Sequence, residues 1–452
     1  MSNRFHVLVL GDVLLSMLAI YSGFTLRSGE VPSLQLLIYN GGPLFLVVIV
    51  IAFSSFLAEL YNRDKRYGKK ELLAKVSISL LISFFVLSSF FYMLPFARFG
   101  RAAFMVSLGI FGLYQFLWHV GYGAFINSPG LSRGVIVLGV GPLARHIGEI
   151  VTSTNHQHVL RGYINVSGEP LYVPSHAIVG NGGGIIETAR KEKAQKIVVS
   201  LSERRGVFPL QDVLDCKFSG IQVMDATSFY EDVTGKLLIE NLTPSCFIFS
   251  EGFNLNSYVR IYKRIFDLFF SFLALLLVLP LIPLIALLIK IDSPGSILFR
   301  QARVGEKERI FNIYKFRTMR EDAENNTGAV WAKKHDPRIT RIGRLLRKTR
   351  VDEIPQLYNV LKGDMSFIGP RPERPEFVKA LKVLIPFYSE RHFVKPGITG
   401  WAQARYSYGA SFEDAFEKLR YDLYYIKHMS LFLDMLVMIE TVNVVLFGRG
   451  SR

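Results

Sequence analysis

Cysteine is nearly missing from this chain: Cys216 and Cys246 are the only two in 452 residues. Two thiols cannot staple a disulfide scaffold or complete a structural zinc site, and both are expected to be reduced and cytosolic. Acidic residues are also short, with 37 Asp and Glu against 53 Lys and Arg, a formal net charge of +16. That excess points to an anionic partner: nucleic acid, anionic lipid or a phosphorylated substrate. The basic stretches lack the interleaved aromatics that would stack on bases, so no nucleic acid partner is expected. The N-terminus lacks a short apolar core followed by a small-residue cleavage site, so the first apolar segment is expected to stay attached.

Apolar length, by contrast, is abundant. Half the residues are hydrophobic, 36 are Phe, and the mean hydropathy is +0.28. Four apolar segments, near 5–26, 34–58, 72–94 and 102–126, each reach the ~20 residues that cross a bilayer as a helix. The second connection carries Arg63, Lys65, Arg66, Lys69 and Lys70. Charge bias therefore places that loop, and both ends of a four-helix unit over 1–128, in the cytoplasm. Apart from Asp12 near one end, no acidic or basic residue suggests a relay through these spans, so the unit reads as an anchor or docking bundle rather than a transporter.

An α/β domain is expected over 129–255. The apolar run 133–139 leads into Gly139-Val140-Gly141-Pro142-Leu143-Ala144, which approximates a dinucleotide fingerprint with a helix after it. Further strand-like runs at 197–201 and 221–224 alternate with helical stretches, which predicts a parallel, Rossmann-like sheet. Its second strand, 162–166, ends without the acid that would hold a ribose. The domain therefore reads as degenerate, structural or regulatory, with no redox role.

Lys263, Arg264 and Asp267 introduce an uncharged run from Leu268 to Ile289, closed by Lys290. Its length suits a span. However, Pro280 and Pro283 break its middle and cations flank both ends, so a re-entrant helix-break-helix over 263–290 is expected. Beyond it the charge rises sharply. Arg303 sits in one strand-like run, and Lys315 and Arg317 alternate with apolar residues in another. Residues 336–347 suggest an amphipathic helix with Arg338, Arg341 and Arg344 on one face. Asp352 and Glu353 follow among Arg344, Arg347, Lys348, Arg350 and Arg371. Such surroundings are expected to lower both carboxylate pKa values. Ile354 precedes a proline and is biased away from helix, so Pro355 is expected to open a new helix behind the acid pair. The setting suits phosphate and a divalent metal; a salt-bridged surface turn is the alternative. His335 and His392 read as structural or exposed. The tail 421–447, apolar but carrying Lys427, Asp434 and Glu440, reads as an interfacial helix.

Taken in order, these elements carry a resemblance. Lys263-Arg264-x-Phe266-Asp267, the proline-broken hairpin, Phe299-x-Gln301-x-Arg303-x-Gly305 and Lys315-Phe316-Arg317-Thr318-Met319 come first. Leu346-Arg347-Lys348-Thr349, Asp352-Glu353-Ile354-Pro355-Gln356-Leu357 and Asn359-Val360-Leu361-Lys362-Gly363-Asp364-Met365-Ser366 follow. Gly369-Pro370-Arg371-Pro372 and Lys395-Pro396-Gly397-Ile398-Thr399-Gly400 complete the set. Residues 263–410 resemble the catalytic domain of the monotopic polyprenyl-phosphate phosphoglycosyl transferases, the bacterial sugar transferase family. The upstream bundle and α/β domain resemble its long members, which initiate exopolysaccharide or O-antigen repeat units.

The resemblance implies a mixed membrane protein: a four-helix transmembrane bundle, a cytosolic Rossmann-like α/β domain, and a re-entrant-helix α/β catalytic domain over 256–452. It implies a multi-pass protein of the bacterial inner membrane, catalytic on its cytosolic face; the sequence does not give the oligomeric state, and the extra bundle of the long members suggests a homodimer. A sugar 1-phosphate would pass from a UDP-sugar to undecaprenyl phosphate, releasing UMP. Asp352 would be the nucleophile forming a covalent phospho-sugar, and Glu353 would assist as metal ligand or proton acceptor. Mg²⁺ would be held by the two acids, while Arg347, Arg371, Lys315, Arg317 and Arg303 bind phosphate. Two other readings exist: a membrane-tethered NAD-dependent nucleotide-sugar oxidoreductase or epimerase, and a non-catalytic polysaccharide-assembly scaffold. No motif names the sugar.

Overall fold

The apolar segments of the first quarter form helices α1 (Asn3–Ser28), α2 (Gly41–Leu57), α3 (Lys69–Met93) and α4 (Arg101–Ile126). The computed structural model describes residues 3–29, 41–58, 60–61, 68–93, 101–126, 133–153, 158–166, 170–201, 208–250, 252–253, 257–320, 336–406, 409 and 411–447. The basic loop residues Arg63, Lys65 and Arg66, and the start expected for the second segment at 34, lie outside them. Stretches of α1, α3 and α4 are long and apolar enough to cross a membrane, while the apolar stretch of α2 is shorter. Ala19, Val47, Ile51, Leu87 and Phe111 form their common core.

Within this bundle Asp12 is not isolated. Its Oδ2 accepts from Tyr61 Oη at 2.7 Å and Gln115 Nε2 at 2.6 Å, with His119 Nε2 at 3.3 Å. Gln115 also donates to Ser55 Oγ at 2.8 Å, and Ser55 lies 3.0 Å from Ser79 Oγ. Residues from all four helices thus share one buried polar knot. Spacing along the sequence could not show it, because the partners are 24 to 107 residues apart.

In the α/β part, β1 (Arg133–Leu138) has both faces covered and is buried from residue 134 onward. Hence its unbroken apolar run, as expected of a central parallel strand. With β2 (His158–Ile164), β3 (Ile178–Gly180), β4 (Ala194–Val199) and β5 (Gln222–Asp225) it makes a parallel sheet ordered β3-β2-β1-β4-β5. Helices α5 (Pro142–Ser153), α6 (Ile185–Lys191) and α7 (Leu210–Phe218) supply crossovers. Gly139 turns the chain from β1 into α5 at φ 126°. That turn is covered: Val140 and Gly141 are buried, and Tyr172 N–H donates to Val140 O at 2.9 Å.

The chain divides into two compact units, Met1–Phe229 and Tyr230–Arg452. The second opens with segments that join its own core. Leu237 and Ile239, which the sequence reading grouped with the α/β domain, are buried with Ile368, Trp401, Leu423 and Tyr425. Next come α8 (Ser257–Val278), a 3₁₀ turn (Leu279–Leu281) and α9 (Ile282–Asp292). Pro280 and Pro283 stand in the first turns of the two later pieces, where a missing N–H costs little. They restart the helix in a new direction.

Both ends of this 36-residue stretch dock on the same body. At the start, Lys263 pairs with Asp434 at 3.0 Å, and Arg264 donates to Val360 O and Leu361 O at 2.7 and 2.8 Å. Asp267 accepts from Ser366 Oγ and Phe367 N, both at 2.8 Å. At the far end Asp292 accepts from Ile342 N at 2.8 Å, and Ile285 and Ile289 pack on Phe316 and Leu346. Between these anchors Phe272, Leu276, Leu277, Leu279, Leu284 and Leu287 are exposed.

The remainder holds an antiparallel ribbon, β6 (Leu298–Val304) with β7 (Ile310–Phe316). Helix α10 (Arg341–Thr349) begins five residues later than the sequence suggests. Thr340 caps it, accepting from Gly343 N at 3.0 Å, while Arg338 lies before it and grips Asp336. A 3₁₀ turn (Val351–Glu353) leads into α11 (Gln356–Lys362). Ile354 is itself right-handed helical at φ −51°, ψ −42°, against the usual bias before proline. Bonds from Ile354 N to Val351 O and from Leu357 N to Ile354 O hold it there. The strands β8 (Ser366–Ile368) and β9 (Gly397–Thr399) run parallel, and Gly369, Gly397 and Gly400 let their backbones touch. Helices α12 (Pro375–Leu384), α13 (Trp401–Arg405), α14 (Phe412–Lys427) and α15 (Leu431–Phe447) close the unit.

Replacing Asp12 by Leu removes the shared acceptor of Tyr61 and Gln115 and is expected to cost about 1–3 kcal/mol. Thermal unfolding in detergent should show a lowered midpoint, and Asp12→Leu with Gln115→Leu should lose less than the two single losses added.

Candidate active site

The site grows from one short turn. Arg350 ends α10 in the left-handed region at φ 56°, and the chain then winds once through Val351, Asp352 and Glu353. Both acids are buried, at 8% and 7% exposure. Strand β7 brings Lys315 to them and the loop after β8 brings Arg371. Lys315 Nζ and Arg371 Nη2 each lie 2.7 Å from the same Glu353 oxygen, Oε1.

This geometry separates the acids. Burial alone would raise the Glu353 pKa, but the charges and hydrogen bonds of Arg371 and Lys315 overcome it and hold that carboxyl well below its ordinary range. Asp352 goes the other way. Burial pushes its pKa up, Lys315 offsets part of that, and the Glu353 charge adds to the rise. The expectation that both acids are lowered is therefore corrected: the cations bond to Glu353, while Asp352 feels them only at a distance. No hydrogen bond to the Asp352 carboxylate forms among the described residues, which leaves it available to a ligand.

The remaining sequence candidates divide by what they touch. Arg347 donates from Nε to Thr318 Oγ1 at 2.8 Å, and its charge reaches Asp352. Arg317 is buried, and its Nη2 donates to Ser293 O and Oγ at 2.6 and 2.9 Å, bracing the exit of α9. Arg303 donates to Pro372 O at 3.0 Å and Gln301 Oε1 at 2.6 Å, bracing the loop that carries Arg371. Lys263, Arg264 and Asp267 hold α8 in place. His392 is buried and pushed down to about 4 by burial and by Arg391 beside it, so it is neutral near pH 7. His335 lies outside the described residues.

Sequence reasoning missed the supports. Arg391, buried between Tyr388 Oη and Asp422 at 2.7 Å each, donates to Arg371 O at 3.0 Å. Nothing in the local pattern marks it. Asn359 accepts from Tyr314 N at 3.1 Å and donates to Asn312 O at 2.8 Å, stitching α11 to β7 beside Lys315. Asn in the middle of an apolar helix was the available signal.

Among the described residues no group of three or more His, Cys, Asp or Glu could hold a metal by itself. An unbonded Asp352 carboxylate beside Glu353 fits a cation such as Mg²⁺, which takes one or two carboxylates and completes its shell with phosphate and water oxygens.

Substituting Arg371 or Lys315 by Met leaves Glu353 a buried anion with one cation fewer, expected to cost about 3 kcal/mol. Adding Glu353→Gln to Arg371→Met should recover part of that loss in denaturant unfolding; strictly additive losses would contradict the pairing.

The C-terminal unit is similar to known proteins. The bacterial sugar transferase family matches residues 258–448. A UDP-N-acetylgalactosamine-undecaprenyl-phosphate N-acetylgalactosaminephosphotransferase of Aeromonas hydrophila is 43% identical over 238 residues, 52% of this chain and 55% of that protein. An exopolysaccharide production protein of Rhizobium leguminosarum bv. phaseoli is 44% identical over 187 residues, 40% of this chain and 94% of that protein. The UDP-glucose:undecaprenyl-phosphate glucose-1-phosphate transferase of Escherichia coli (strain K12) is 40% identical over 187 residues, 40% of each chain. The chain thus spans about half the length of the Aeromonas relative and less of the Escherichia one. With nearly the whole Rhizobium protein covered, the chain belongs to the bacterial sugar transferase family.

Proposed function

We propose that this protein transfers a sugar 1-phosphate from a UDP-sugar to a polyprenyl phosphate in two displacements at Asp352. The observation that carries the reading is the unequal acid pair: Glu353 is held by two cations, while the carboxylate of Asp352 next to it has no hydrogen bond among the described residues. Relatives named as undecaprenyl-phosphate sugar phosphotransferases support the substrate classes.

In the first displacement an Asp352 carboxylate oxygen bonds to the β-phosphorus of the UDP-sugar. The bond from that phosphorus to the bridging oxygen breaks, and UMP leaves as a dianion. An aspartyl phospho-sugar with one negative charge remains, so total charge is conserved. In the second, an oxygen of the polyprenyl phosphate dianion attacks the same phosphorus and the bond to Asp352 breaks. The products are a polyprenyl diphosphate sugar and the free carboxylate.

A carboxylate is a weak nucleophile toward an anion, so the surrounding cations carry much of the catalysis. Arg347 is placed to grip a phosphate with its terminal nitrogens, and Lys315 and Arg371 keep Glu353 ionised and fixed. Mg²⁺ held by Asp352 and Glu353 would neutralise charge on the diphosphate and favour the ionised form of Asp352.

The stretch Ser257–Asp292 is read as re-entrant. A straight helix of that length would reach about 54 Å, yet both of its ends bond to one folded body. The exposed middle then enters one leaflet and returns, and the acid pair lies at headgroup level. With both ends of the N-terminal bundle assigned to the cytoplasm by charge bias, the catalytic unit faces the cytosol of a bacterial inner membrane. The α/β sheet is read as Rossmann-like on its strand order, and its buried glycine turn supports a structural or regulatory role.

Asp352→Asn is expected to abolish both UMP release and capture of radiolabelled sugar on acid-quenched protein; substantial retained turnover would remove it as nucleophile. A panel of UDP-sugars assayed the same way assigns the sugar. In a variant with both native cysteines replaced, Ile291→Cys should resist a membrane-impermeant thiol reagent applied from outside; ready labelling would indicate a full span.

A further inference from the structure

The segment 230–250 precedes the residues that the family match covers, yet it is bonded along α14. Glu231 meets Lys427 at 2.7 Å, and Lys236 pairs with Glu417. Leu237 N–H donates to Arg420 O at 3.1 Å. Glu240 pairs with the Arg420 guanidinium, whose other arm holds Glu417 at 2.9 Å. Lys236, Glu417, Arg420 and Glu240 thus form one chain of charges that alternate in sign. Trp401 adds a neutral bond, from Nε1 to Gly235 O at 2.9 Å, and its ring stacks on Tyr424 at 6.1 Å. Gly235 is left-handed at φ 67°, and a Cβ there would stand 3.3 Å from the Trp401 ring. Further along, Phe253 N–H donates to Lys427 O at 3.3 Å.

These contacts give α14 two faces. Glu417, Arg420, Tyr424 and Lys427 recur at steps of three and four residues and turn one face to the segment. Asp422 lies off that stripe and is buried, 2.7 Å from Arg391 Nη2. The same Arg391 nitrogen donates to Arg371 O at 3.0 Å, and Arg371 Nη2 reaches Glu353 Oε1 at 2.7 Å. From the segment to the acid pair, every link is a bond or a turn of one helix. Isolated surface ion pairs contribute little. Here three of the four charged side chains are at most 22% exposed, and they are joined to one another.

We infer that residues 230–250 are a clasp for catalysis: they fix α14 and, through Asp422 and Arg391, the place of Arg371 beside Glu353. Arg420, at the centre of the charge chain, is then a positioning residue that acts through Arg391. The inference rests on the two-displacement reading, in which Glu353 stays fixed while Asp352 reacts. A displacement of about 1 Å at a reacting site costs up to about 100-fold in rate, so slight play in α14 is enough to be read in turnover.

Turnover of the full chain in detergent, assayed below each variant's own unfolding midpoint, tests the clasp. Arg420→Met should lower kcat about 10-fold and leave the KM for UDP-sugar within about twofold, because order is lost at Glu353 rather than in donor binding. Arg420→Lys should recover part of the loss. Glu240→Gln and Trp401→Phe, which each loosen one link, should lower kcat by less. Arg391→Lys gives up the planar fork that joins Tyr388, Asp422 and Arg371 O, and it supplies the cycle. Added to it, Arg420→Met should cost little further kcat, while its effect on the unfolding midpoint persists. A wild-type kcat in Arg420→Met overturns the inference. So does a loss that multiplies in full with that of Arg391→Lys, which would mark a support of stability alone. If Arg420→Met does not fold, Glu240→Gln and Trp401→Phe decide by the same two criteria. Turnover retained in Asp352→Asn would instead sink the two-displacement reading, and the cycle between positions 420 and 391 on that turnover would still decide the clasp.

Discussion

Two cations on one carboxylate oxygen organise the C-terminal unit. Lys315 and Arg371 meet Glu353 from different elements, a strand and a loop, while Glu353 comes from a turn between two helices. A buried charge without such partners would cost several kcal/mol, so the ribbon, the turn and the loop have to assemble together. Their supports follow from the same need. Asn359 fixes β7 against α11, and Arg391, with Asp422 behind it, fixes the main chain at Arg371. Asp352 is then left beside a neutralised neighbour, buried, its carboxylate without a hydrogen bond among the described residues. That asymmetry is what a pair of adjacent acids needs for two different tasks.

The second constraint is positional. The apolar stretch Ser257–Asp292 is fastened at both ends to the body that carries the acid pair. Arg264 holds carbonyls of α11 just past the turn, and Asp292 accepts from the first turn of α10 just before it. The two arms of this apolar stretch thus bracket the helix–turn–helix that presents Asp352. In the proposed reaction this coupling sets the height of the nucleophile relative to the lipid phosphate.

Much of this was legible in the sequence, for local reasons. Alternation of apolar and cationic residues gave β7, the paired prolines gave the break between α8 and α9, and the unbroken apolar run at 134–138 gave a central parallel strand. The ordered motifs gave the family. What stayed hidden depended on contacts between distant residues. Asp12 seemed alone because Ser55, Tyr61, Gln115 and His119 are far along the chain. The main-chain bonds of Arg303 and Arg317 stayed hidden because nothing in a sequence tells a cation bonded to a carbonyl from one that is not. A lowered pKa was expected for both Asp352 and Glu353 because neighbouring positions share their surroundings in sequence, whereas bond geometry gives the cations to Glu353 and burial raises Asp352. Ile354 departed from its local bias because the turn on either side holds it in the helix.

The central claim is that Asp352 carries the sugar phosphate between two substrates. Isotope exchange tests it most directly: labelled UMP is incubated with enzyme, Mg²⁺ and unlabelled UDP-sugar in the complete absence of polyprenyl phosphate. The account predicts that label enters UDP-sugar with wild type and not with Asp352→Asn. Exchange that persists in Asp352→Asn, or that appears only when the acceptor is added, would contradict it.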